Sequence, residues 1–364
     1  MKKKRNSNIE ILRIISMLFI VISHYTVHNG ISNYSLPLSG NRYLLELMTL
    51  GNIGTILFVL ITGYFLIESN KFNLNKFIKL WLQIFFYSVV IYFLLVVFNV
   101  EIFSLKNMIK CLLPISFKEY WFATSYVMLY IFHPFINKFL NLLSEKEHFT
   151  FIVINFLFFS ILNMLTTSSY YGNELIQFIF FYSIGGYVKK YNNKILNNKK
   201  MSYGILVFSI LSIMISVLIF DILGIKYNIF AEHSTYLMNR TSPFIILFSI
   251  CLFNIFVKKE EKNNNIINII SSCMFGVYLI SDNNYFRTFL WEDLLKNSDY
   301  VLSKYLLLHM VVSVLLVFAT CCLIEFIRIN VIDRIYDKCI SRKIDFLYNK
   351  ILVAYNSFFN KYIK

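Results

Sequence analysis

The first long apolar stretch of the chain carries four ionisable side chains. Residues 10–28 read EILRIISMLFIVISHYTVH, with Glu10, Arg13, His24 and His28 set among aliphatic residues. An α-helix turns about 100° per residue, so Arg13 and His24 point the same way, about 16 Å apart along the axis. Glu10 and His28 fall within about 60° of that line. Neutral imidazole is available near pH 7 as a general base toward a hydroxyl. A guanidinium suits an anionic phosphate or a polarised carbonyl, and Glu10 is placed to orient it. Together these groups point to acyl transfer from a phosphate-bearing donor at one end to a hydroxyl acceptor at the other. Each has a plainer reading: Arg13 snorkelling to head groups, His24 resting at the interface. Their common face argues for a lined cavity, because ionisable groups inside an apolar helix are costly and mark function.

The elements that position these residues are membrane helices. The 364 residues are 57% hydrophobic and 15% charged, with a mean hydropathy of +0.61. A soluble domain would carry about 25% charged residues. The expected fold class is all-α, a polytopic integral membrane protein of the cell membrane. The net charge of +15 is spread between apolar runs rather than gathered in a patch, so no nucleic acid partner is expected. The six cysteines (111, 251, 273, 321, 322, 339) lack ligand spacing. They read as reduced packing residues, and no metal is expected. The N-terminal KKKR and the run after it lack a small-residue cleavage site, so this segment is expected to stay uncleaved.

Ten spans are expected, at about 9–28, 47–67, 79–99, 120–140, 149–165, 174–188, 202–223, 241–257, 266–281 and 304–327, with both termini cytoplasmic. Several are short of twenty residues, notably the fifth, sixth and ninth, and are expected to be tilt-free, interrupted or partly interfacial helices. With the N-terminus inside, 25 of the 35 Lys and Arg fall inside and nine outside, as the positive-inside rule requires. Residues 1–330 form the transmembrane domain. Residues 331–364 form a basic amphipathic tail in which Ile332, Ile335, Tyr336, Cys339, Leu347, Ile351, Tyr355, Phe358 and Tyr362 keep helical spacing. This reads as an interfacial helix, or else as a partner surface.

Other positions carry narrower expectations. Gly51, Gly54 and Gly63 let helices approach closely. The lysines of KFNLNKFIKLW meet anionic head groups or an anionic donor. Tyr120 and Trp121 belong to an outer aromatic belt. Pro134 frees a helix carbonyl near His133, which is read as a hydrogen-bonded core histidine. Asp282, Asn283 and Arg287 cluster on the His24 side, where hydroxyl-rich acceptors need donors and acceptors.

No Walker loop, GxGxxG or GxSxG appears, which argues against an ATP-driven pump, a dinucleotide enzyme or an α/β-hydrolase. The pattern Arg13, ten residues, His24 resembles the first helix of the membrane acyltransferase 3 family. FVLITGYFL (58–66), YWFATSYVMLY (120–130) and FGVYLISDNNYFR (275–287) continue the resemblance in order. The last two look most like members that O-acetylate surface polysaccharides. The resemblance implies an acyl-CoA donor, usually acetyl-CoA, used as substrate with no tightly bound cofactor. It implies a surface polysaccharide or lipid-linked glycan as acceptor. It carries the family's Arg to Arg13 and its His to His24, with Trp121, Asp282, Asn283 and Arg287 as acceptor-side candidates. Thr62 stands where Ser is usual, and Ser281 where His often follows. The competing reading is an exporter of a polysaccharide intermediate, its path lined by the same column.

Overall fold

The computed structural model describes residues 5–30, 35–166, 173–191 and 199–346, with positions 348, 350, 351 and 357. These are 79% helical without a strand, so the protein is an all-α, polytopic membrane protein. The helices are α1 (Ser7–Val27), α2 (Gly40–Leu47), α3 (Gly51–Leu66), α4 (Leu74–Val97), α5 (Leu105–Leu112), α6 (Trp121–Leu142), α7 (Glu145–Phe156), α8 (Glu174–Lys190), α9 (Lys199–Gly224), α10 (Asn228–Glu232), α11 (Pro243–Val257), α12 (Asn265–Ser272), α13 (Met274–Ser281), α14 (Leu306–Arg328) and α15 (Arg334–Cys339).

Seven segments among the described residues are long and apolar enough to cross a membrane: Ser7–Val27, Gly40–Leu66, Leu74–Val97, Glu145–Thr166, Lys199–Gly224, Asn228–Val257 and Leu306–Cys339. Length and apolarity alone therefore do not reproduce the expected ten. The other three expected spans fall on α6, α8 and the α12–α13 pair. Of these, α6 has 22 residues but carries Tyr, His, Asn and Pro, and α8 has 17 residues. The ninth expected span breaks at Cys273 into two eight-residue helices. The fifth holds a π-turn over Leu157–Leu162.

The core is organised around α1, whose N-terminus is capped by Asn6 accepting from the Asn8 N–H at 3.0 Å. It packs against α3, α11, α12, α13 and α14, so a helix that reads as a single apolar rod is enclosed by protein. Helices at the rim show the inverse. Val207, Phe208 and Leu211 on α9, and Leu307, Leu308 and Val311 on α14, face outward, as lipid-facing surfaces require.

Three glycines set how tightly the centre closes. A Cβ on Gly54 would strike the Ser16 carbonyl of α1, one on Gly63 the Tyr182 carbonyl of α8, and one on Gly185 the Leu60 carbonyl of α3. Backbone thus lies against backbone on both sides of α3. Pro134 of α6 has no N–H, so the Tyr130 carbonyl loses its helical donor. His133 Nδ1 lies 2.6 Å from that oxygen and replaces it. The expected core histidine is hydrogen-bonded to the carbonyl that the proline freed.

The tail begins by docking back on the bundle. Tyr336 donates to Asn75 Oδ1 at 2.8 Å, and Lys79 pairs with Asp337 at 2.6 Å. Both contacts lie at the start of α4. The expectations on Leu347, Tyr355, Phe358 and Tyr362 lie outside the described residues.

Gly63→Ala forces a methyl group against the backbone of α8 and is expected to cost about 1–3 kcal/mol. Gly40→Ala enters open space and is expected to stay within about 0.5 kcal/mol. Thermal midpoints of the two purified variants in one detergent check this; equal midpoints would show that the close approach is not tight.

Candidate active site

The four ionisable residues of α1 divide between two cavities instead of lining one. Ser16, Met17 and Leu57 fill the interval between them and are buried.

At the N-terminal end of α1, Arg13 Nη1 donates to Glu10 Oε1 at 3.0 Å and Oε2 at 2.9 Å. The i,i+3 spacing places the pair on one turn. Ser271, from α12, also donates to Glu10 Oε2. The carboxylate is buried while the guanidinium keeps 29% of its surface exposed, so the charge that is presented is Arg13's. It lies 5.4 Å from the Phe65 ring centre. The cavity it faces is about 370 Å³ and is also lined by Arg5, Tyr64, Glu68, Lys189 and Glu261. Lys189 Nζ sits 4.9 Å from the Tyr64 ring centre. The arrangement offers a cation on an aromatic wall, suited to an anionic or carbonyl-bearing donor.

At the other end lies a cavity of about 220 Å³ whose walls include His24, His28, Thr55, Trp121, Asp282 and Arg287. His24 Nδ1 is 3.2 Å from Ser281 Oγ. Its Nε2 is 3.8 Å from Asp282 Oδ1. The same carboxylate oxygen is 3.3 Å from His28 Nε2 and 3.5 Å from Arg287 Nη1. Burial opposes ionisation of Asp282. The adjoining His24, His28 and Arg287 outweigh it and hold the carboxyl below its usual range. Ser281 is itself fixed, since the buried Trp291 donates its indole N–H to the Ser281 carbonyl at 3.3 Å. Trp121 is backed by Arg240, whose guanidinium carbon lies 4.7 Å from the ring centre and whose Nε donates to Gln177 at 2.7 Å.

Of the expected acceptor-side residues, Trp121, Asp282 and Arg287 reach this cavity and Asn283 does not. Asn283 is 2% exposed. Its Nδ2 donates to Tyr120 at 2.6 Å, and its Oδ1 accepts from the N–H groups of Tyr285 and Phe286. It caps a turn, the role a short amide readily takes after a helix end. The expectation of a mouth residue is corrected to a scaffolding one.

Sequence reasoning missed the juxtaposition of His24, His28 and Asp282. Their ligand atoms lie within 4.8 Å of one another, although Asp282 and His28 are 254 positions apart. Two imidazoles and a carboxylate are a donor set that zinc accepts. Tetrahedral zinc would need the three atoms at about 3.4 Å from one another; the His28–Asp282 pair already stands at 3.3 Å, and the His24–Asp282 pair at 3.8 Å is wider. The contact was not readable because α13 returns to α1 only in the folded chain. Arg240 falls between the expected spans 202–223 and 241–257, and its seat over Trp121 depends on a contact between distant segments.

Residues 6–326 match the family model of an acyltransferase domain, Acyl_transf_3. The chain belongs to the acyltransferase 3 family. Neither the curated proteins nor the solved structures contain a match. The matched segment runs from the cap of α1 to the last turns of α14 and so contains the walls of both cavities except Arg5. The protein is thus a membrane acyltransferase.

Asn283→Ala leaves the Tyr120 hydroxyl and two turn N–H groups without their partner, and is expected to lower stability by about 1–3 kcal/mol. Arg287→Ala removes a partly exposed charge and is expected to change it by less than about 1 kcal/mol. Unfolding midpoints of the two variants decide between scaffold and mouth; the reverse order would return Asn283 to the acceptor side.

Proposed function

We propose that the protein is an O-acetyltransferase that moves an acetyl group from acetyl-CoA on the cytoplasmic side to a hydroxyl of a surface polysaccharide or its lipid-linked precursor. The observation that carries this reading is the placing of His24 and Arg13 on one helix, each opening into its own cavity at opposite ends of the bundle. The charge bias of the loops puts the Arg13 end inside. Arg13, steadied by Glu10, receives the phosphate-bearing donor or its acyl carbonyl there. His24 faces the acceptor.

The chemistry assigned to the outer cavity needs one tautomer. With the proton on Nδ1 and given to Ser281, Nε2 is the free base. Nε2 takes the proton of the acceptor hydroxyl as its oxygen attacks the acetyl carbonyl. The C–O ester bond forms, the C–S bond breaks, and the proton passes to the departing thiolate. Asp282, ionised and 3.8 Å away, favours the imidazolium formed in between. Ser281 thus orients the base where relatives often carry a second histidine. Trp121, stiffened by Arg240, offers a flat apolar face to a sugar ring, with Arg287 at the rim. The donor's flexible arm has about 16 Å of α1 to cover between Arg13 and His24.

Packed residues separate the two cavities, so both readings need that stretch to part: by the width of the donor's arm for acyl transfer, and by the width of a sugar chain for export. In cells, polymer that reaches the surface without esters in a deletion strain supports the enzyme reading. Lipid-linked intermediate trapped inside supports export instead.

His24→Ala is expected to lower ester-linked acetate on purified polysaccharide by about 10²–10⁴-fold while the protein still inserts. Unchanged acetate would overturn His24 as the base. Because that base is an imidazole and not a metal-bound water, EDTA is expected to leave transfer by purified protein intact. Loss of transfer restored by zinc would reassign His24, His28 and Asp282 as ligands.

A further inference from the structure

The larger of the cavities at the Arg13 end is not the one that Arg13 faces. On the other side of α1, about 620 Å³ opens between the start of α9 and the end of α11, with Asn8 and Ile11 as its third wall. Lys199, Lys258, Lys259 and Lys262 line it against one carboxylate, Glu260. Lys199, Lys259 and Lys262 form no ion pair with a carboxylate among the described residues. Lys259 rests on the Phe256 ring at 4.1 Å. Burial, together with the charge of Lys199, holds Lys258 below the usual lysine range, so two ammonium groups are close enough to oppose each other.

The loop that carries these lysines is held in place. Ser7 donates its N–H to the Lys262 carbonyl at 2.7 Å, Asn8 Nδ2 donates to the Glu260 carbonyl at 2.6 Å, and the Asn264 N–H donates to Ser7 Oγ at 2.7 Å. The same staple divides the two cavities, turning Glu260 and Lys262 to one and Glu261 to the other. Arg5, Arg13 and Lys189 on the Arg13 side face Glu10, Glu68 and Glu261, a balanced set. Among its described lining residues the lysine cavity sets four lysines against one carboxylate, and it has room for a ligand.

We propose that this lysine cavity is a second anion site, taking a phosphate ester separately from the Arg13 cavity. Two sources supply that chemistry: the head group of an anionic phospholipid of the inner leaflet, and the phosphates of a nucleotide. The surroundings fit the lipid. Tyr203 is half-exposed at the rim, and below it Val207, Phe208 and Leu211 present an apolar outer face to acyl chains. Basic pockets between membrane helices on the cytoplasmic side hold phospholipid head groups in this way.

The test uses the purified full chain, Lys258→Gln/Lys262→Gln, and Lys226→Gln/Lys304→Gln as a charge-matched control at the other end. One arm measures retention of phosphatidylglycerol against phosphatidylcholine by native mass spectrometry. The other measures binding of adenosine 3′,5′-bisphosphate in lipid-free detergent. At least one probe is expected to bind the wild type and the control alike, and the lysine-cavity variant about tenfold more weakly. Retention of phosphatidylglycerol alone names the lipid, and binding of the bisphosphate alone names the nucleotide. Equal binding of both probes to all three proteins overturns the site, as does an equal loss in variant and control. Amine labelling of the wild type answers the question even if the variant is unstable. A bound probe must shield the cavity lysines while Lys304 labels as before; labelling unaffected by either probe overturns the proposal.

Discussion

The constraint on which the structure rests is that α1 carries ionisable side chains through the middle of an apolar bundle. A charged or polar group there has no water to turn to, and leaving one unpaired costs more than the pairing gains. Each must therefore be met by protein. One neighbouring segment meets two of them. Ser271 of α12 donates to Glu10, while Ser281 at the end of α13 meets His24 and Asp282 follows directly. The break at Cys273 makes this segment two short helices, one ending at Ser272 and the other at Ser281.

That arrangement explains why close helix packing matters to the site. Gly54 brings α3 onto Ser16 of α1, and Gly63 and Gly185 bring α8 onto α3. These contacts bury the stretch of α1 between the two cavities. A looser bundle would admit water or lipid along α1, and the environments of Arg13 and His24 would merge. The separation keeps a cation facing a balanced, partly wet cavity at one end and an imidazole beside a buried carboxylate at the other. One helix thus carries two chemically different environments.

Much of this was legible in the chain. The i,i+3 pairing of Glu10 with Arg13, the face shared with His24, the glycines of α3 and the coupling of Pro134 to His133 all follow from helix periodicity and from proline's missing donor. What was not legible depends on contacts between distant segments. The stretch after Ile280 reads as a polar loop, and by type alone Asn283 and Asp282 are equally suited to a mouth. Backbone geometry separates them: Asn283 caps the turn and points inward, whereas Asp282 is left facing His24 and His28. The span count diverged for a related reason. Periodicity identifies apolar helices, but α8 and α13 are largely buried among other helices and are short of full membrane length, while α6 is long enough but interrupted by polar residues and Pro134.

Ser281, where the family resemblance leads one to expect histidine, is tied into the site by the fold. In the fold its hydroxyl lies at Nδ1 of His24, and its carbonyl is held by Trp291. A second imidazole is already supplied four residues along α1 by His28, whose ring centre is 5.5 Å from that of His24 and which shares the same carboxylate oxygen. Both imidazoles of this cavity therefore come from one helix. Ser281 gives His24 Nδ1 one hydrogen-bond partner in a fixed place. Asp282, shared by His24, His28 and Arg287, couples the three, so the charge state of any one acts on His24 through it.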